Sequence, residues 1–348
     1  MKPPIRNDRF LRACRRQPVD ATPVWFMRQA GRYMAEYREV RKRHSLLEIC
    51  KTPALATAVT MQPVERLGVD AAILFADILL PVEPLDVGLE FVEGDGPTLA
   101  RRVATPGDVD RLRDFDVETE LGYVADSVAR IVTELGGRVP LIGFAGGPFT
   151  VASYLIEGGH SRNFVATKRL MSAEPEAWDR LMSRLARVTL AYLEMQIEAG
   201  ADAVQLFDSW VGALGPEDYR RFVLPHTRSV LGPLTAAGVP VIHFGTQTSA
   251  LLRDMRAAGG TVIGVDWRID LREAWELVGA DVAIQGNLDP TALLAPWPVL
   301  AQSARSILES VAGRAGHVFN LGHGILPETP VEAVADLVKL VHEESARD

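Results

Sequence analysis

The chain has 348 residues, 47% of them hydrophobic and 24% charged, which is ordinary for a globular protein able to bury a large core without staples. Two cysteines, Cys14 and Cys50, exclude a disulfide scaffold and fit a reducing compartment. A net charge of −8 argues against a generic nucleic-acid binder, but residues 1–50 carry twelve Lys or Arg against five Asp or Glu, so a basic segment sits on an otherwise acidic protein.

In chain order, residues 1–22 form an extension with a helix expected near Asn7–Arg16. No apolar stretch there resembles a secretory signal, so a cytoplasmic location is expected. Eight short apolar runs then read as buried parallel strands: Val24–Met27, Ala71–Phe75, Leu141–Ala145, Ala203–Phe207, Val241–Phe244, Val262–Val265, Val282–Gln285 and Val318–Leu321. The run Val69–Val82 is the most apolar, yet it contains Asp70 and Asp77 and is too short to span a bilayer. Residues 89–105 predict a hairpin, with EGDG as its turn. Amphipathic segments separate the strands, most clearly Pro175–Ala199, and Gly-containing turns such as RLGVD and EAGAD precede several of them.

Length alone suggests two domains, but one large barrel is equally compatible. Strands alternating with helices favour an α/β fold formed by a single (β/α)8 TIM barrel over residues 1–348, with an N-terminal helical extension and a small hairpin excursion. The alternative is a doubly wound open sheet, but no G-x-G-x-x-G follows the first strand.

Active sites of such barrels gather at the C-terminal ends of the strands, and here those ends are polar. Arg28 and Arg32 follow the first run, four residues apart, so a helical turn would put both guanidinium groups on one face, with Arg41 extending the wall. Forks of this kind grip carboxylates or phosphates; the competing reading pairs them with Glu36, Glu39 and Glu48 as a surface network. Asp77 is set among apolar residues, where it faces a ligand, caps the following turn or pairs with an Arg. In GFAGGPFTVASYLIEGG the glycines either cradle a phosphate or allow close packing, and Tyr154 either presents its hydroxyl inward or is a buried aromatic. Ser209 lacks an obvious general base. His323, between Gly322 and Gly324, is either structural or part of the site. No cysteine or lysine lies at a strand end, and no Cys–His spacing suggests zinc, so neither a metal nor a Schiff-base cofactor is expected. The remaining toolkit of Arg, Asp, Tyr, Ser and His suits acid–base and electrostatic work on a polyanion.

PVWFMRQAGRYMAEYR, ending at Arg38, and GFAGGPFTVASYLIEGG at 143–159 resemble the two signatures of the uroporphyrinogen decarboxylase family. FADIL, QLFDSW and FNLGHGI are similar to further family segments in the same order, so the resemblance covers nearly the whole chain. It implies a cofactor-independent carboxy-lyase of haem biosynthesis, a cytoplasmic homodimer that removes four acetate carboxyls of uroporphyrinogen III to give coproporphyrinogen III. By position, Arg28, Ala30, Arg32, Arg41, Asp77, Tyr154, Ser209 and His323 fall on the family's substrate contacts, with Gln29 and Gly31 in the same loop. Asp77, Arg28, Tyr154 and His323 are the candidates for catalysis: Asp77 would accept pyrrole N–H bonds, and the proton donor stays open among Arg28, Tyr154, His323 and water. Two rivals are a zinc-dependent methyltransferase on a related barrel, and a tetrapyrrole-binding protein that releases no CO2.

Overall fold

The structure, a computed structural model, describes residues 3–92, 96–312 and 314–347. Among these, nine strands form: β1 (Ala72–Ile73), β2 (Leu89–Val92), β3 (Gly96–Leu99), β4 (Leu141–Gly146), β5 (Ala203–Asp208), β6 (Val241–Gly245), β7 (Val262–Gly264), β8 (Ala283–Gln285) and β9 (His317–Val318). Seven make one parallel sheet in the order β1-β4-β5-β6-β7-β8-β9, with helices between successive strands. β2 and β3 pair antiparallel as the expected hairpin, which ends at Leu99 rather than near 105; its turn at 93–95 lies outside the described residues. Beyond it, Val103 N–H donates to Leu155 O, docking the excursion on the helix after β4.

The first expected strand, Val24–Met27, is reduced to a single bridge, yet it closes the ring. Val24 pairs with Phe319, Phe319 N–H donates to Pro23 O at 2.9 Å, and Asp70 N–H donates to Val24 O at 2.7 Å. The segment thus lies between β9 and β1 and completes an α/β barrel of the TIM type. It fails as a regular strand because side chains take the amides a ladder would use. Val24 N–H goes to Asp70 Oδ2 (2.7 Å), Phe26 N–H to Gln29 Oε1 (3.1 Å) and Met27 N–H to Asn320 Oδ1 (3.2 Å). Ala71–Phe75 likewise shortens to Ala72–Ile73, Phe75 N–H being captured by Thr60 Oγ1 at 3.0 Å.

A hydrogen-bonded row spans the barrel interior. Trp25 Nε1–H donates to Gln285 Oε1 and Gln285 Nε2–H to Gln205 Oε1, both at 3.0 Å. The floor is covered by the N-terminal helix Arg9–Cys14, shorter than the expected Asn7–Arg16, which buries Phe10 and Cys14 against β8 and β9. Below β1, the fully buried Asp70 carboxylate receives Asn7 Nδ2, Arg9 Nη1, Val24 N–H and His342 Nε2 at 2.7–2.9 Å. Among the described residues no helix is long and apolar enough to cross a membrane.

Candidate active site

The loop after Val24 is built around Gln29. Its side chain is fully buried, accepts from Phe26 N–H and donates to Ala71 O at 3.0 Å, while Tyr33 hydroxyl donates to Gln29 O at 2.6 Å. Gln29, expected in the same loop as the ligand contacts, therefore spends its amide holding the loop. This clasp also overturns the expected helical turn from Arg28 to Arg32. Helix begins only at Ala35, and Arg28 sits in the left-handed region at φ +60, a conformation that costs a non-Gly residue about 1–3 kcal/mol. The turn sets the Arg28 stem against Gly324, after β9, rather than along a shared helical face.

Arg28, Arg32 and Arg41 are exposed, and among the described residues none makes an ion pair. Two of the three acidic partners a surface network would use are engaged elsewhere, Glu39 with Lys42 and Glu48 with His44, and Glu36 makes no ion pair among the described residues. Arg28 lays its stem on the backbone after β9: a Cβ on Gly324 would fall 2.4 Å from Arg28 Cδ. Arg32 and Arg41 flank Tyr37, whose phenol pKa is raised by burial and pulled back by their charges. Ala30 and Gly31 are half-buried beside them.

Asp77, half-buried beyond β1, accepts Leu79 N–H at 2.9 Å, so the turn-capping reading is correct as far as it goes. Its second oxygen is left for other donors. Desolvation raises its pKa, opposed by the Leu79 N–H and by Arg28. The cap and the neighbouring cation therefore coexist at one carboxylate.

After β4, the glycines serve close packing. A Cβ on Gly147 would fall 2.7 Å from the Asp208 carboxylate, and Gly147 N–H is already given to Phe207 O at 2.8 Å. Tyr154, half-buried on the helix Pro148–Glu157, stacks on Trp210 with ring centres 3.9 Å apart. Burial pushes its pKa to about 12, with Asp77 adding to the rise and Arg28 opposing it, so it is a protonated phenol at neutral pH. Trp210 is held through its backbone, whose N–H donates to Thr150 Oγ1 (3.2 Å), and the Thr150 hydroxyl donates to Asp208 Oδ1 (2.8 Å). Asp208 is fully buried at the end of β5, and desolvation lifts its pKa to about 6. Ser209 lies half-buried next to this group and accepts the Thr246 hydroxyl at its carbonyl.

His323 is gripped between two glycines. Gly322 lies against the backbone of Trp267, where a Cβ would come within 2.5 Å of its nitrogen, and Gly324 lies against Arg28. Burial first, then Arg28, push the His323 pKa down to about 4, so the imidazole is neutral at pH 7. Arg28 thus acts electrostatically on Asp77, Tyr154 and His323, and Asp77 on Tyr154, with Trp210 stacked beside Tyr154.

Sequence reasoning left several residues of this rim unassigned. The Thr150–Asp208 pair and the Tyr154–Trp210 stack join positions more than fifty residues apart, which no local motif reveals. Arg268 was passed over although DWRID directly follows a strand end. Among the described residues no three His, Cys, Asp or Glu side chains are grouped to hold a metal ion.

The family model described as "Uroporphyrinogen decarboxylase (URO-D)" matches residues 5–344. A protein named uroporphyrinogen decarboxylase from Sorangium cellulosum is 61% identical over 336 residues, covering 97% of this chain and 96% of the relative. Another of that name from Carboxydothermus hydrogenoformans is 55% identical over 340 residues, covering 98% and 97%. Among solved structures, a methyltransferase from Methanosarcina mazei superposes with a TM-score of 0.82 over 97% of this chain and 98% of that one. At 22% identity that likeness speaks for the barrel alone. Model, relatives and the ordered motifs agree over nearly the full length: the chain belongs to the uroporphyrinogen decarboxylase family.

Proposed function

We propose that the chain decarboxylates uroporphyrinogen III, converting its four ring acetates to methyl groups and yielding coproporphyrinogen III and four CO2. The observation that carries the reading is an unpaired guanidinium, Arg28, beside a desolvated carboxylate, Asp77, on the rim that also carries Tyr154 and His323. Three Arg side chains without a carboxylate partner among the described residues, on an acidic protein, suit a substrate with eight carboxylates.

Each cycle needs an electron sink, and the pyrrole supplies one. Protonation of a ring carbon gives an iminium-like cation; the bond from the methylene to the carboxyl breaks, CO2 leaves, and the electron pair moves into the ring. A proton then adds to the methylene to make the methyl, and loss of the first proton restores the pyrrole. Asp77 accepts the pyrrole N–H groups and stabilises the cation with its charge. Arg28 holds a substrate carboxylate, with Arg32 and Arg41 taking others. Tyr154 donates a phenolic hydrogen bond, while neutral His323 and Ser209 orient the acidic arms. Guanidinium is a very weak acid, so Arg28 delivers a proton only with assistance.

The same reading has the whole chain as one barrel domain, a homodimer in the cytoplasm that works without metal or organic cofactor. An anaerobic assay following carboxylate number by chromatography tests it. Heptacarboxylate to tetracarboxylate products and CO2 are expected. Binding without CO2 release would make the chain a tetrapyrrole carrier, and stoichiometric zinc by elemental analysis would favour the methyltransferase rival.

A further inference from the structure

His323 has cations on both flanks. On one side, Gly324 bears the stem of Arg28. On the other, Gly322 is pressed against the backbone of Trp267, and the next residue is Arg268. The Arg268 guanidinium lies over the Trp267 ring, 4.1 Å from its centre, and its Nη1 is 2.5 Å from Asp266 Oδ2. Asp266 is a buried anchor with 1% side-chain exposure; it also accepts Gln247 N–H at 2.7 Å and Arg268 N–H at 3.2 Å, so its oxygens are well supplied with donors. Arg268 itself is 41% exposed, and no other partner of its guanidinium is found among the described residues. One N–H is tied and one face is covered by the indole, which leaves part of the planar edge open. Arg28 and Arg268 each lower the proton affinity of His323, Asp266 opposing them, so both guanidinium groups lie within electrostatic reach of the imidazole.

We infer that Arg268 is a substrate-binding residue, receiving a carboxylate of the tetrapyrrole on the side of His323 opposite Arg28. Asp266 and Trp267 hold the fork in place, so the anion meets a preorganised guanidinium rather than a flexible one. A macrocycle with acidic arms on every ring needs cations around the mouth; Arg28 and Arg32 come from one loop and Arg41 from the helix Ala35–Arg41 that follows it, and Arg268 supplies the other flank of His323. This inference rests on the tetrapyrrole reading proposed above and extends it to specificity, because a product with four carboxylates has fewer arms to offer the second flank than a substrate with eight.

The test uses the intact chain and compares wild type with Arg268→Gln and Arg268→Lys. Equilibrium binding of uroporphyrin and coproporphyrin, the oxidised porphyrins with eight and four carboxylates, is followed by fluorescence, alongside kcat and KM for decarboxylation. Arg268→Gln is expected to weaken uroporphyrin binding about tenfold, to affect coproporphyrin less, and to raise KM with kcat nearly unchanged. It should also flatten the salt dependence of uroporphyrin binding, and Arg268→Lys should recover part of the loss. Unchanged preference for eight over four carboxylates would overturn the inference, as would a lowered melting temperature with binding intact, which would make Arg268 a structural brace. Absence of CO2 release by the wild type would instead count against the proposed reaction, and the binding comparison would still decide the role of Arg268.

Discussion

Asp70 and Asp77 lie on either side of the same short strand, each in apolar surroundings, and the sequence offers little to tell them apart. Their environments are opposites. Asp70, below β1, is saturated by four donors from the N-terminal helix region, the barrel seam and the helix Val331–Glu344. Asp77, above β1, has one backbone N–H and a nearby guanidinium not committed to any acid. The same contrast separates Arg9, which binds Asp20 and Asp70, from Arg28, which binds neither. A buried charge with every lone pair used stabilises one geometry; a charge with capacity left over is available to a ligand.

The largest effect should come from the floor. Asp70→Ala leaves Arg9 only Asp20 and strands the Val24 N–H and Asn7 Nδ2, and is expected to lose about 3–5 kcal/mol in urea unfolding. Asp77→Asn should change unfolding by less than about 1 kcal/mol and cut turnover by about 100-fold or more. If the two substitutions failed in the same assay, the distinction between floor and mouth would be lost. A smaller effect sharpens the picture at Arg28: Gly324→Ala places a methyl where the Arg28 stem lies, and should lower kcat/KM by about tenfold with little change in melting temperature.

Asp208 gives the subtlest comparison, because it is a buried carboxylate with one donor, Thr150, and sits between the two extremes. Its folded pKa, about 6, exceeds the unfolded value of 3.8. Its protonated form therefore favours folding below about pH 4, and that contribution is lost as the pH rises through 6. Asp208→Asn keeps an acceptor for Thr150 and removes the buried charge. Thermal melts should show it stabilised by about 2 kcal/mol at pH 8, the difference vanishing near pH 4. An equal difference at both pH values would show that charge burial is not what distinguishes this site.

The barrel was legible wherever strands are continuous runs buried on both faces. Leu141–Ala145, Ala203–Phe207 and Val241–Phe244 reappear as β4, β5 and β6 with one residue added to each. Val24–Met27 has the same composition but not the same ladder, since Asp70, Gln29 and Asn320 are remote or non-periodic partners that only the folded chain brings to its amides. Arg28 and Arg32 show the matching limit: i,i+4 spacing implies a shared face only if the backbone is helical, and the Gln29 clasp prevents that. The polar strand ends pointed to this rim, but the Tyr154–Trp210 stack and the Thr150–Asp208 pair join the helix after β4 to the end of β5, contacts set by tertiary packing alone.

The seam at Val24 has a further consequence. The segment leading into the Arg loop is stitched to residues made some three hundred positions later: Thr22 N–H donates to Ser345 Oγ, Arg347 N–H to Asp20 O, both at 2.8 Å, and His342 shares Asp70 with Val24. The Gln29 clasp shapes the loop itself, while the strand that carries it is fastened by the helix Val331–Glu344 and the residues just after it. A chain lacking residues 342–347 would keep its parallel ladder and lose these fastenings, so its grip on a polyanion should loosen before the barrel itself does.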